Sequence, residues 1–139
     1  MILSLDTNVC IEIINGKNVA VRRAFAEARQ SRTPLVTSLI VAHELYFGAE
    51  RHPRPEEERR RVRAMLTWTP LETYDEQDMR SMARVRAGLR SQGLSIGPYD
   101  LLIAGQALAR GWTVVTGNIR EFSRVEGLNV FDWTASASA

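Results

Sequence analysis

Asp6, Glu44 and Asp100 are the side chains in this sequence best placed to do chemistry, and each has the same kind of setting. Asp6 closes the apolar run Ile2-Leu3-Ser4-Leu5 and is followed by Thr7-Asn8. Glu44 lies inside Leu39-Ile40-Val41-Ala42-His43-Glu44-Leu45-Tyr46-Phe47-Gly48. Asp100 follows the turn Ile96-Gly97-Pro98-Tyr99 and opens Leu101-Leu102-Ile103-Ala104. An ionised carboxylate beside so much apolar sequence is costly unless it is paired, hydrogen-bonded or bound to a cation. Singly, Asp6 and Asp100 are good helix N-caps, Glu44 could pair with an arginine, and Asn118 could support a turn. Together, with Asn118 following the apolar stretch Val114-Val115-Thr116, they point to one shared site. An acidic site with no paired lysine suits a divalent metal ion.

Elements that would position these residues can be read from the spacing of apolar residues and breakers. Residues 2–6 predict a short buried strand, and Asp6 or Thr7 caps a helix to about Ile14, stopped by Asn15-Gly16. Residues 18–31 predict a helix, 35–37 a strand, and Ser38 an N-cap for a helix through Glu50. His52-Pro53-Arg54-Pro55 is a linker, after which Glu56-Glu57-Glu58 opens a helix with Arg59, Arg60, Arg61 and Arg63 in later turns, the order the helix dipole favours. Residues 70–74 predict a short strand, Asp75 caps a helix through Leu89, and Gly93 to Pro98 is a loop. A strongly apolar helix over 99–110 ends at Gly111, a doubly buried strand covers 112–116, and 128–131 is a last edge strand. Strands alternating with helices imply a three-layer α/β/α sandwich with a mostly parallel central sheet. Function in such a sheet gathers at the carboxyl ends of the strands, where Asp6 and Asn118 fall.

The chain of 139 residues is expected to form one domain over 1–133, with 134–139 a disordered tail. Its 45% hydrophobic and 24% charged residues are those of a soluble globular protein. No apolar run approaches the roughly 20 residues that span a bilayer, and MILSLDTN carries no basic start of a signal peptide. Cys10 is the single cysteine, so no intrachain disulfide forms, and a buried packing role in a reducing cytoplasm is expected. Net charge is +2, yet every basic residue except Lys17 is arginine, whose planar fork matches phosphate and stacks on bases. Several chemistries are excluded by what is missing. His43-Glu44 lacks the second histidine of a zinc-protease helix, since position 47 is Phe. Gly16-Lys17 lacks the upstream glycine of a phosphate-binding loop, and no Gly-x-Gly-x-x-Gly follows the first strand. A phosphoacceptor signalling domain would need a lysine near the late strand's end, and the one lysine is at position 17.

Four blocks, in order, resemble the PIN-domain ribonucleases and, within them, the VapC-type toxins of type II toxin–antitoxin pairs. They are Leu5-Asp6-Thr7-Asn8, then His43-Glu44-Leu45-Tyr46-Phe47-Gly48-Ala49, then Ile96-Gly97-Pro98-Tyr99-Asp100-Leu101-Leu102-Ile103-Ala104, then Val114-Val115-Thr116-Gly117-Asn118-Ile119-Arg120-Glu121-Phe122. Gly127-Leu128 and Asp132-Trp133 follow. The resemblance implies a PIN-like fold and a Mg²⁺- or Mn²⁺-dependent endoribonuclease cleaving cellular RNA, tRNA among the candidates. It implies Asp6 and Asp100 as direct metal ligands, Glu44 as an acid acting mainly through water, and Asn118 where many members carry a fourth acid. Glu121 would supply outer charge, and the Thr7 and Thr116 hydroxyls would orient carboxylates or water. Partners implied are the RNA, a cognate antitoxin lying over the active-site groove, and a second copy in a homodimer. At least part of the set Tyr46, Phe47 and Trp68 is expected to form the antitoxin groove, although core packing is the commoner role for each taken alone. The alternative is a catalytically inactive PIN fold kept as an RNA- or protein-binding module.

Overall fold

The computed structural model describes residues 1–134. Its elements run β1 (Leu3–Leu5), α1 (Thr7–Asn15), α2 (Val19–Gln30), β2 (Leu35–Ser38), α3 (Leu39–Glu50), α4 (Pro55–Leu66), β3 (Leu71–Glu72), α5 (Glu76–Ser91), α6 (Pro98–Arg110), β4 (Thr113–Val115), α7 (Ile119–Phe122) and β5 (Asn129–Phe131). The five strands lie in the order β3-β2-β1-β4-β5 and every neighbouring pair is parallel. Helices flank this sheet, giving the expected three-layer α/β/α sandwich, with an all-parallel rather than a mostly parallel sheet. The residues expected in a tail, 135–139, lie outside the described residues, while Thr134 is tied to the Asp132 carboxylate through its N–H at 2.8 Å.

Local chemistry explains most boundaries. Asp6 caps α1, accepting the Thr7 N–H at 2.6 Å, and Gly16 ends it at φ 70°, a left-handed conformation that glycine adopts without penalty. Ser38 caps α3 through the Ile40 N–H. Asp75 and Asp78 form a reciprocal capping box at the start of α5. Pro98 occupies the first turn of α6, where its missing N–H is harmless, so the helix begins one residue earlier than its apolar run suggests.

Strands β1, β2 and β4 are buried throughout, as a sheet covered on both faces requires. Leu5, Val114 and Val115 are fully enclosed and pack with Val9, Val41, Ile103, Ala104 and Phe122 from the helices. Cys10 is buried in this core, as expected.

The position of α6 is fixed twice. Gly105 meets α5 so closely that a Cβ there would lie 2.7–2.8 Å from the backbone and Cβ of Met82. Arg110, at the other end of α6, donates to the buried Asp78 carboxylate from Nε at 3.0 Å and Nη2 at 2.8 Å. It also donates to the Thr73 carbonyl at 2.8 Å, and Gln106 donates to the same carbonyl at 2.9 Å. Burial alone would raise the Asp78 pKa; the Arg110 bonds and the Asp75 N–H overcome it and hold the carboxyl below its ordinary range.

Candidate active site

The chain reverses its direction of travel across the sheet beside β1. From β1 it builds outward through β2 to β3, then α5 and α6 carry it back to β4 on the other side. In a doubly wound sheet this is where a crevice opens at the carboxyl ends of the strands. Asp6 stands at the end of β1, its N–H bonded to the Val115 carbonyl of β4 at 2.9 Å. Thr116 and Asn118 follow β4, Glu44 comes from the second turn of α3, and Asp100 from the first turn of α6.

Hydrogen bonds and charge link these residues into one network. The Thr116 hydroxyl donates to Asp6 Oδ2 at 2.6 Å and the Thr7 hydroxyl donates to Glu44 Oε1 at 2.6 Å. The Asn118 N–H donates to Thr116 Oγ1 at 2.9 Å. The Asn118 amide nitrogen donates to Glu121 Oε2 at 2.8 Å and reaches Asp100 Oδ2 at 3.4 Å. Both threonine hydroxyls therefore orient a carboxylate.

Electrostatics report the same convergence. Burial is the main force raising the Asp6 pKa, with Glu44 adding repulsion, while Thr116 and the Thr7 N–H oppose it. Asp100 is pushed up to about 7, first by burial, then by its hydrogen bond to Glu121 and by the charges of Asp6, Glu121 and Glu44. Glu121 is held low by its bonds to Asp100 and Asn118 and by the nearby Arg124. The Asp100 carboxyl is thus held above its ordinary range and that of Glu121 below it.

All donors in the network are oxygens or an amide, the set that suits a hard divalent cation. Among the described residues no three carboxylate, imidazole or thiol side chains form a ready-made metal cage. Mg²⁺ asks for less, since it is commonly held by one or two carboxylates and keeps several waters. The negative charge that adds to burial in raising Asp100 is what such an ion would neutralise, so the residues fit it.

Glu121, expected to supply outer charge, is bonded to Asn118 at 2.8 Å. Its signal was the position one helical turn beyond Asn118, hidden because the four-residue α7 was not foreseen. The groove beside Glu44, of 460 Å³, lies between α1, α3 and α4. It is lined by Ile11, Ile14, Leu45, Gly48, Ala49 and Val62, among others. Tyr46 packs against the core, Phe47 is exposed beside His43, and Trp68 lies under the Arg29 guanidinium at 3.5 Å.

Residues 3–128 match the PIN domain family model. The chain is 37% identical over 129 residues to the tRNA(fMet)-specific endonuclease VapC of Salmonella typhimurium, covering 93% of this chain and 96% of that one. It is 36% identical over 130 residues to the protein of the same name in Shigella flexneri, covering 94% and 96%. The crystal structure of DNA-bound VapBC from Salmonella typhimurium superposes with a TM-score of 0.88 at 36% identity, covering 96% of this chain and 98% of that chain. That of VapBC2 from Rickettsia felis bound to a promoter DNA fragment gives 0.89 at 29% identity, covering 96% and 99%.

Proposed function

This chain belongs to the PIN-domain family, in its VapC branch, and on that footing we propose that it is a metal-dependent endoribonuclease, the toxin of a type II toxin–antitoxin pair. The observation that carries the proposal is the Asp6–Glu44–Asp100 network at the sheet's reversal point, with Asn118 and Glu121 beside it. Cellular RNA is the substrate, with tRNA favoured by the names of the two VapC relatives.

Asp6 and Asp100 would hold Mg²⁺ or Mn²⁺ directly, and Glu44 would act through water. The chemistry supplied by the bound ion is polarisation of the scissile phosphate, activation of water and stabilisation of the leaving 3′ oxygen. The chain's own residues prepare for this. Thr116 and Thr7 fix the Asp6 and Glu44 carboxylates so that little reorganisation remains. Asn118 holds Glu121 against Asp100, and a cation bound there would favour the charged form of Asp100. Without a cation the acids repel the RNA backbone, so binding and cleavage both depend on the ion.

The apolar groove beside Glu44 supports a cognate antitoxin, whose segment would cover Ile11, Ile14 and Leu45 and could place a basic side chain on the acids. A homodimer is supported by the exposed face of Leu39, His43, Phe47 and Tyr99, where His43 contacts both Phe47 and Tyr99. The cytoplasm is the proposed location; among the described residues no helix is long and apolar enough to cross a membrane.

Purified chain incubated with total RNA and Mg²⁺ or Mn²⁺ should yield discrete fragments, absent with chelator and absent for folded Asp6→Asn. Fragment mapping then names the RNA. Cleavage that persists undiminished in Asp6→Asn, or no cleavage by the wild type together with tight partner binding, would replace the enzyme by a binding module.

A further inference from the structure

The stretch from Met79 to Tyr99 holds Arg80, Arg84, Arg86 and Arg90 and no acidic residue. In a chain whose net charge is only +2 this is a local concentration of positive charge. On α4, by contrast, Arg59 pairs with Glu50, and Arg61 with Glu57 and Glu58. On α5, among the described residues, Arg80 alone has such a partner, Glu76. Arg86 and Arg90 are exposed, and among the described residues neither guanidinium has an ion pair, a hydrogen bond or a ring contact.

These two arginines are four residues apart and so share one face of α5. They line a groove of 320 Å³ between α5 and α6, with Leu94, Ile96, Pro98 and Leu101 among its other walls. Pro98 and Leu101 belong to the first turn of α6, the turn that carries Asp100. The groove therefore runs from the two free guanidinium groups to the flank of the catalytic turn. The loop between its ends is tethered, since Arg124 Nη1 donates to the Ser95 carbonyl at 2.6 Å.

Charge and position together select the occupant. The groove is positive at one end and borders the acid network at the other. A phosphodiester strand carries a negative charge at every residue, so one strand can set a phosphate on the arginines and another at the reacting centre. A second copy of this chain would bring the same positive face against its own and be repelled. The apolar groove suited to an antitoxin segment lies elsewhere, between α1, α3 and α4. Resting on the ribonuclease reading above, we propose that Arg86 and Arg90 are a subsite for phosphates of the RNA strand flanking the scissile bond. The arginine fork matches phosphate oxygens in pairs, and the apolar walls take the uncharged sugars between them.

Binding of a fluorescent oligouridylate is measured by anisotropy over a range of salt concentrations, with Mg²⁺ present and on the Asp6→Asn chain, so that the strand survives. Adding Arg86→Gln and Arg90→Gln together should weaken binding about tenfold and lower the slope of log Kd against log salt by about 1.4, the counterion release of two phosphate contacts on a single strand. Arg60→Gln with Arg63→Gln removes the same charge from α4 and should leave the slope unchanged. Equal losses from the two pairs would reduce the effect to net charge and overturn the subsite. In the active chain the α5 pair should raise KM about tenfold and leave kcat within about twofold, the mark of binding lost equally from ground and transition states. Unchanged RNA affinity in the folded α5 double variant overturns the proposal. Weaker antitoxin binding or dissociation of a dimer in its place would then assign the groove to an acidic peptide or to a second copy. A loss of RNA affinity in a chain that cleaves nothing leaves the subsite standing and removes the nuclease instead.

Discussion

Replacing Asp100 by asparagine should stabilise the metal-free fold while destroying activity. The side chain keeps its shape and loses a charge that Asp6, Glu44 and Glu121 oppose. Its pKa rises from 3.8 to about 7, which for a wholly shielded group would correspond to about 4 kcal/mol. Asp100 is half-buried and hydrogen-bonded to Glu121, so solvent screening leaves about 1–2 kcal/mol. Between these two pH values the folded chain holds a proton that the unfolded chain has lost, so wild-type stability falls as pH rises and levels off above about 7. The variant lacks most of that fall. In chelator its melting temperature should match wild type near about pH 4 and exceed it by about 3–6 °C near about pH 8. With Mg²⁺ the order should reverse, because the wild type gains binding energy that the variant lacks. Cleavage should fall by roughly 10²–10³ or more, by analogy with losing one preorganised electrostatic group. A variant no more stable than wild type at the higher pH in chelator would refute the clustering of negative charge.

Other expectations follow from single contacts. Thr116→Val leaves Asp6 Oδ2 buried without its donor and should cost about 1–3 kcal/mol in urea unfolding, with Thr116→Ser restoring most of it. Gly105→Ala forces α5 and α6 apart and should cost about 1–3 kcal/mol and lower kcat, because α6 carries Asp100; an unchanged denaturation midpoint would contradict the close approach. Arg110→Ala strands the buried Asp78 carboxylate and should cost about 3–5 kcal/mol, measured by chemical denaturation. Burial pushes the Cys10 thiol well above its ordinary pKa, so alkylation followed by mass spectrometry should label it only under unfolding conditions.

The parts of the fold legible in the sequence are those with local causes. Asp6, Ser38 and Asp75 cap helices where capping chemistry says they should, and Gly16 and Gly111 end helices in the left-handed conformation they favour. The Asp6, Glu44 and Asp100 positions were readable because a charge inside apolar sequence demands an explanation. What escaped depends on contacts made across the chain. The strand order and uniform parallel direction come from pairing between distant segments. The predicted strand over 70–74 shrinks to Leu71–Glu72, because Thr73 instead gives its carbonyl to Gln106 and Arg110 of α6. Asp78 lies between exposed positions of a charged stretch, and its burial follows from an arginine 32 residues away.

The bond between Thr116 and Asp6 joins residues 110 apart in sequence, and β1 precedes β4 in the chain. During synthesis, Asp6 leaves the ribosome long before its hydroxyl partner exists. At typical elongation rates the interval is roughly 5–20 s. Before β4 is made, β1 can pair with β2 alone, and Asn118 has yet to be joined to the chain. On the proposed reading, the growing polypeptide is therefore chemically silent toward the machinery producing it. Competence arrives only once β4 closes the centre of the sheet. A truncated product ending before residue 113 would share that silence, however well its first half folded.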